Sequence, residues 1–233
     1  EFHYGADYHG VANFPKVVAD LCGEIAGGRV GRVLDLGCAT GRSTFEMARW
    51  ADHVTGIDFS ARFIGVGHEM CEKGYIRYAI PDEGELVSYH EKTLEEFGLG
   101  DTRDRVEFWQ GDAHNLKERF TGYDLVFAGN LIDRLYSPKL FLSMIKERMN
   151  PGGLFVLASP YTWLEEFTER DEWLGGFKDE VGENFTTLDG LRLVLGEHFE
   201  LVAEPVDVPF VIRETRRKFQ HTLSQLSVWK FKG

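Results

Sequence analysis

The chain has 233 residues, 43% of them hydrophobic, which is enough to bury the core of one α/β domain without a metal or a disulfide. Against 26 Lys and Arg stand 38 acidic residues, a formal net charge of -12, so a surface that tracks phosphates is not expected and nucleic acid is excluded as a partner. Cys22, Cys38 and Cys71 match neither a disulfide framework nor a zinc spacing, no apolar run reaches the roughly 18 to 20 residues of a bilayer span, and residues 1–20 do not read as a signal peptide. The expectation is a single domain over 1–233 that is soluble and cytoplasmic, with no membrane contact.

Taken in order, Phe14, Val17, Val18, Leu21 and Ile25 recur at helical spacing behind Asn13, a capping residue, and predict a helix to Ala26. Val33 to Leu36 reads as a strand, followed by a small-residue turn and a helix over Arg42 to Trp50. A second strand, Val54 to Ile57, ends at Asp58, and Ser60 caps a helix from Ala61 to Glu72. Residues 74–105 interrupt the alternation as an inserted hairpin, Tyr75–Ile80 and Glu85–His90, about a turn at Pro81-Asp82-Glu83-Gly84.

Strands Val106 to Gln110, Asp124 to Ala128 and Leu154 to Ala158 then alternate with a helix from Pro138 to Met149 and a turn at Asn150-Pro151-Gly152-Gly153. A helix from Leu188 to Leu195 and two closing strands, Phe199 to Val211 and Leu223 to Phe231, complete a pattern that predicts a mainly parallel sheet with an antiparallel last strand.

Val33-Leu34-Asp35-Leu36-Gly37-Cys38-Ala39-Thr40-Gly41 is the strongest signal, because glycines at a strand-to-helix turn let a ligand approach the backbone. A pyrophosphate site needs three glycines in the pattern Gly-x-Gly-x-x-Gly, and Gly37, Ala39 and Arg42 stand there instead, which argues against a nicotinamide oxidoreductase. Asp58 lies 21 positions beyond Gly37 at the next strand end, where a carboxylate can accept both hydroxyls of a ribose, and Asp112 follows the third strand. Cys38 beside the glycine turn reads as packing rather than as a nucleophile.

Together these residues resemble the class I S-adenosylmethionine methyltransferases, and the later Pro151-Gly152-Gly153 matches that family's turn. The resemblance implies a Rossmann-like α/β fold with a seven-stranded sheet, S-adenosylmethionine as cofactor, S-adenosylhomocysteine as product and no metal. It assigns the methionine part to Asp35, Gly37, Cys38, Gly41 and Ser43, the ribose to Asp58 with Phe59, and the adenine to Gly111, Asp112 and Ala113, with Asn130 and Leu131 near the transferred methyl.

Longer strings narrow the likeness: Phe2-His3-Tyr4-Gly5, Gly56 to Ile64, Gly129 to Leu135, Ser159 to Thr168 and Val211 to Thr222. As a set they resemble the C-terminal methyltransferase domain of the ovothiol-forming enzymes, which methylates an imidazole nitrogen of 5-thiohistidine. That resemblance implies a thiohistidine substrate and, as pathway partner, an upstream sulfoxide synthase or lyase. A zwitterionic substrate calls for a cation, an acceptor for its ammonium and hydrogen bonds to its ring. The candidates are Arg213 for the carboxylate, Asp133 or Glu214 for the ammonium, Asn130 for the ring, and His3, Tyr4, Tyr8 and Tyr161 as walls, with residues 1–12 as a lid. Competing readings are a methyltransferase for another small metabolite and a noncatalytic S-adenosylmethionine-binding partner subunit, while the basic run Arg213 to Lys218 also reads as a solvated face.

Overall fold

In the computed structural model, which describes residues 1–4 and 7–233, side-chain caps from Asn13, Ser60 and Thr186 start three of the α-helices. Gly5 and Ala6, part of the expected lid, lie outside the described residues. Strands β1 (Asp7–Tyr8) and β2 (Val11–Ala12) pair antiparallel ahead of helix α1 (Phe14–Ala26), where Asn13 Oδ1 accepts from Lys16 N at 3.2 Å and Val18, Ala19 and Cys22 face the core. Strand β3 (Val30–Leu36) turns into α2 (Arg42–Met47), and β4 (Ala51–Asp58) turns into α3 (Ala61–Lys73), capped by Ser60 Oγ on Phe63 N at 3.3 Å. Helix α2 stops short of the expected Trp50 because Arg49 N and Trp50 N donate back only three residues, to Glu46 O and Met47 O.

The inserted hairpin forms as β5 (Tyr75–Glu83) and β6 (Leu86–Thr93), but it reverses after Glu83: a register shift between Pro81 and Glu83 carries the first strand through the expected turn. Next come β7 (Val106–Gln110), β8 (Tyr123–Gly129), α4 (Pro138–Met144) and β9 (Met149–Ser159). The helix expected to reach Met149 tightens to a 3₁₀ turn over Ile145–Arg148, and the proline-glycine-glycine turn lies within β9, where its register against β8 slips. The short pair β10 (Phe177–Lys178) and β11 (Asn184–Phe185) precedes α5 (Thr187–Leu195), started by a reciprocal capping box between Thr186 and Asp189.

The last strands are β12 (Phe199–Leu201), β13 (Val206–Arg213) and β14 (Phe219–Phe231). The strand expected over Phe199 to Val211 is therefore two, separated by a segment containing Pro205, which has no amide hydrogen to give a ladder. Both pair antiparallel with successive stretches of β14, which starts at Phe219 because Phe219 to Thr222 pair with Phe210 to Arg213. The sheet runs β12-β14-β9-β8-β3-β4-β7, with β13 as an eighth strand on β14; β7, β4, β3, β8 and β9 are parallel and β14 is antiparallel to β9. This is the Rossmann-like α/β methyltransferase arrangement that the sequence implies.

Two features place the site. The order departs in both directions from β3, so a crevice opens at the carboxyl ends of β3, β4, β7 and β8. Beyond it, β13 pairs with β14 over Phe219 to Leu226 whereas β9 pairs with it over Gln225 to Lys230, so the β13–β14 hairpin overhangs the end of β9. Its tip meets the inserted hairpin, with Arg216 N donating to Asp82 O at 3.2 Å and Arg217 Nη1 to Glu83 Oε2 at 2.6 Å. No helix among the described residues is long and apolar enough to cross a membrane.

Candidate functional site

At the crevice lies a cleft of about 430 Å³. Leu36 and Gly37 from β3, Ile57, Asp58 and Phe59 from β4, and Gly111, Asp112, Ala113 and His114 from β7 line one part, and Leu131, Arg134, Leu135 and Tyr136 line the other. The turn after β3 is left-handed at Gly37 and Gly41, and a Cβ at Gly41 would stand 2.5 Å from the Phe108 ring, so glycine is required there. Asp58 Oδ2 accepts from Ala39 N at 2.9 Å and Oδ1 from Ser60 N at 2.8 Å. Two fixed oxygens with lone pairs to spare suit the two hydroxyls of a ribose. Phe59, 76% exposed, offers its ring at the cleft for stacking on a base.

Asp112 is held by a residue that the sequence reading missed. His114 N donates to Asp112 Oδ1 at 2.9 Å, its Nδ1 lies 3.1 Å from the same oxygen, and its Nε2 lies 3.1 Å from Ser137 O. Tyr136 stacks on the imidazole at 3.8 Å. The imidazole fixes one carboxylate oxygen, leaving the other for an exocyclic amine. The available signal was the local Asp-x-His spacing, which by itself names no partner for the second ring nitrogen.

Some expected contacts become supports. Asp35 is buried, accepts from Ser43 Oγ and Thr44 Oγ1 at 2.7 Å each, and so braces the turn from beneath together with Ser43 instead of facing the cleft. Cys38 packs, its thiol pushed well up by burial, and the amides of Gly37 and Cys38 are spent on Ile57 O. A carboxylate is instead held at this turn by Thr40 N (3.1 Å), Thr40 Oγ1 (2.5 Å) and Arg42 N (3.4 Å), and in the ligand-free chain it belongs to Glu1. These donors fit the methionine carboxylate of S-adenosylmethionine.

Burial also raises the Asp35 carboxyl to about 7, against the help of the Ser43 and Thr44 hydroxyls. The folded chain therefore binds this proton more tightly than the unfolded one, in which an aspartate titrates near about 4, so stability falls as pH rises through that window and is level above about 7. Asp35→Asn keeps an acceptor oxygen and removes the titration. The Tm of the variant minus that of the parent is expected to grow between pH 4 and pH 7, measured by calorimetry, and a constant difference would reject the assignment.

After β8, Asn130 takes a left-handed backbone, its N donates to Ala158 O at 2.7 Å, and its Oδ1 accepts from Ser224 Oγ at 2.6 Å. A non-glycine residue held in this region marks a position fixed by its surroundings. Asp133 is 1% exposed and its Oδ2 accepts from Thr162 N at 2.9 Å and Arg134 Nη1 at 3.1 Å, so it anchors the segment after β9, while its Oδ1 is buried without a partner among the described residues. Glu214 is corrected as well, since its carboxylate is turned to Lys218 and Gln220 at the hairpin tip. Tyr161 packs against the core with its hydroxyl 3.4 Å from Gln225 Oε1.

Beside the turn, the described N-terminal residues pack into an aromatic cluster with the inserted hairpin. Phe2 is buried against Phe45 and Phe97, and Tyr4 stacks on Tyr8 at 3.8 Å. The Tyr4 hydroxyl is buried without a partner among the described residues, and its phenol is pushed up to about 12 by that burial and by Tyr8. His3 Nδ1 lies 2.9 Å from Tyr78 Oη and Nε2 lies 3.3 Å from Arg213 Nη1. Arginine can only donate, so Nε2 accepts and Nδ1 carries the hydrogen. Burial, then His90 and Arg213, lower the His3 ring to about 4, so it is neutral at pH 7. His3 is two residues from Glu1, so their Cα atoms are at most roughly 7 Å apart and the cluster adjoins the carboxylate site of the turn.

Residues 12–202 match the family model described as a methyltransferase domain. The chain belongs to this family. It is 28% identical over 122 residues to a ubiquinone biosynthesis O-methyltransferase of Aromatoleum aromaticum, covering 52% of this chain and 41% of that one, and 29% identical over 135 residues to its counterpart of Aeromonas salmonicida, covering 58% and 45%. The chain thus spans under half the length of these curated relatives. Among solved structures it resembles the N-methyltransferase NodS of Bradyrhizobium japonicum in complex with S-adenosyl-L-homocysteine, with a TM-score of 0.56 and 14% identity over 94% of this chain and 86% of that one. The cofactor of this methyltransferase domain is S-adenosylmethionine, and the groups of Thr40, Asp58, Phe59 and Asp112 at this cleft and turn are of the kind that could hold it. Among the described residues, no group of three or more His, Cys, Asp or Glu is placed to hold a metal ion.

Proposed function

We propose that the chain methylates an imidazole ring nitrogen of 5-thiohistidine to give ovothiol A, with an upstream sulfoxide synthase or lyase supplying the substrate. The observation that supports this reading is the cluster of His3, Tyr4, Tyr78 and His90 packed beside the guanidinium of Arg213, next to the turn that holds the Glu1 carboxylate. Its aromatic rings, imidazoles and guanidinium match the chemistry of a small charged heteroaromatic amino acid. When bound, S-adenosylmethionine supplies an electrophilic methyl, which a ring-nitrogen lone pair takes as the carbon–sulfur bond breaks; the ring's other N–H proton leaves to solvent.

The protein's work is positioning. The Asn130–Ser224 hydrogen bond fixes the side chain of Asn130, and neutral His3 and the tyrosines hold the ring, an effect worth up to roughly 7 to 11 kcal/mol when the attacking atom is held in line. Neutral His3 and the Arg213 cation disfavour a proton on the substrate ring, which keeps it nucleophilic. A second reading follows from the names of the curated relatives, which are O-methyltransferases. Mass spectrometry after incubation with S-adenosylmethionine and either thiohistidine or a catechol separates the two. A 14 Da gain on the imidazole is expected; a gain on the catechol alone favours O-methylation, and transfer to neither favours a noncatalytic cofactor-binding subunit.

A further inference from the structure

We propose that Asp82 and Arg213 form one clamp that reads the α-ammonium and the α-carboxylate of the substrate, an inference that rests on the function proposed above. Asp82 lies on the inserted hairpin and Arg213 on the overhanging one, 131 positions apart in sequence, and Arg213 Nη2 donates to Asp82 Oδ1 at 2.5 Å. Their side chains are 11% and 23% exposed for Arg213 and Asp82 respectively, so the pair is shielded without being sealed.

The donor and acceptor inventory leaves room for a zwitterion. Arg213 Nε donates to Thr215 O, Nη2 to Pro81 O and Asp82, and one Nη1 hydrogen to His3, so its second Nη1 hydrogen has no acceptor among the described residues. Asp82 Oδ1 also accepts from Ser88 Oγ at 3.3 Å, while Oδ2 has no donor among the described residues. Ser88 Oγ in turn lies 2.8 Å from His90 Nε2, whose ring packs edge-on against His3. The pair thus presents one open donor and one open acceptor, next to the His3 and His90 rings.

An α-amino acid laid head to tail along the pair gives its carboxylate to Arg213 and its ammonium to Asp82, forming two charge-assisted hydrogen bonds and leaving no net charge buried. A substrate lacking either group leaves the matching partner unsatisfied, which is the condition for strong discrimination. The clamp therefore selects a free amino acid over an amine, an acid or a peptide-linked residue. It also assigns to Asp82 the ammonium role that the sequence suggested for Asp133 or Glu214.

The test is steady-state methyl transfer by the parent chain, Asp82→Asn and Arg213→Ala on three substrates: thiohistidine, its desamino analogue and its decarboxylated analogue. The parent is expected to favour thiohistidine over either analogue at least about tenfold in kcat/KM. Asp82→Asn should raise the KM for thiohistidine about tenfold or more, with little change in kcat, and leave the KM of the desamino analogue unmoved. Arg213→Ala should do the same with the decarboxylated analogue as the insensitive substrate. Asp82→Glu should restore most of the affinity, and unchanged S-adenosylhomocysteine binding by calorimetry verifies that each variant is folded.

Equal KM increases on all three substrates, or no preference by the parent, would overturn the clamp while the proposed function stands. Absence of transfer to any of the three by the parent overturns the function and the clamp together.

Discussion

Asp58→Ala is expected to weaken S-adenosylhomocysteine binding by about 3 kcal/mol, on the order of a hundredfold, measured by isothermal calorimetry. Two effects add. The variant loses the acceptors for the ribose hydroxyls, each a charge-assisted bond in a partly shielded cleft. It also releases Ala39 N and Ser60 N, which the same carboxylate holds at 2.9 and 2.8 Å, so the turn and the start of α3 lose a common tether. Asp58→Asn, which keeps one acceptor and can hold one amide, should lie between the two. Full affinity in the alanine variant would remove Asp58 from the ribose site.

The largest stability effect is expected from a methyl group. Glycine to alanine inside a helix ordinarily gains about 1 kcal/mol. At Gly190 in α5, a Cβ would fall 1.7 Å from Leu174 O and 2.7 Å from Leu174 C, backbone atoms that cannot swing away. Relief requires α5 to move off the segment that precedes β10, against a core in which Leu174, Leu191 and Leu195 are all buried. Overpacking of this kind costs about 1 to 3 kcal/mol or more, which exceeds the propensity gain. Gly190→Ala should lower the Tm by several degrees, read by calorimetry, whereas an unchanged or higher Tm would show that the helix sits farther from Leu174.

What the sequence carried was whatever neighbours along the chain decide. Asn13 and Ser60 cap their helices through Lys16 N and Phe63 N because capping needs only three residues of context. Gly37, Gly41, Asp58 and Asp112 were legible because a strand end followed by a turn fixes both the place and the direction of a side chain. The acceptor half was not legible in that way. Asp82 read as part of a turn, yet a register shift extends the strand and turns its carboxylate to Arg213. Asp133 and Glu214 carried the right charge for an ammonium, but charge does not reveal that one is anchored under Thr162 N and the other faces Lys218. His114 needed a partner 23 positions away at Ser137, and Pro205 needed knowledge that β14 is long enough to serve two strands.

The two halves differ in how they are built. The nucleoside is handled by the ends of central strands, so altering those contacts disturbs the hydrophobic interior. The residues proposed to hold the acceptor stand on two protruding ribbons whose roots alone belong to the sheet or to α3, and which touch each other through polar side chains near their tips. Ribbons of this kind behave as an exchangeable cassette: transplanting a different pair onto the same scaffold would redirect the methyl to a new recipient while its donor stays bound as before.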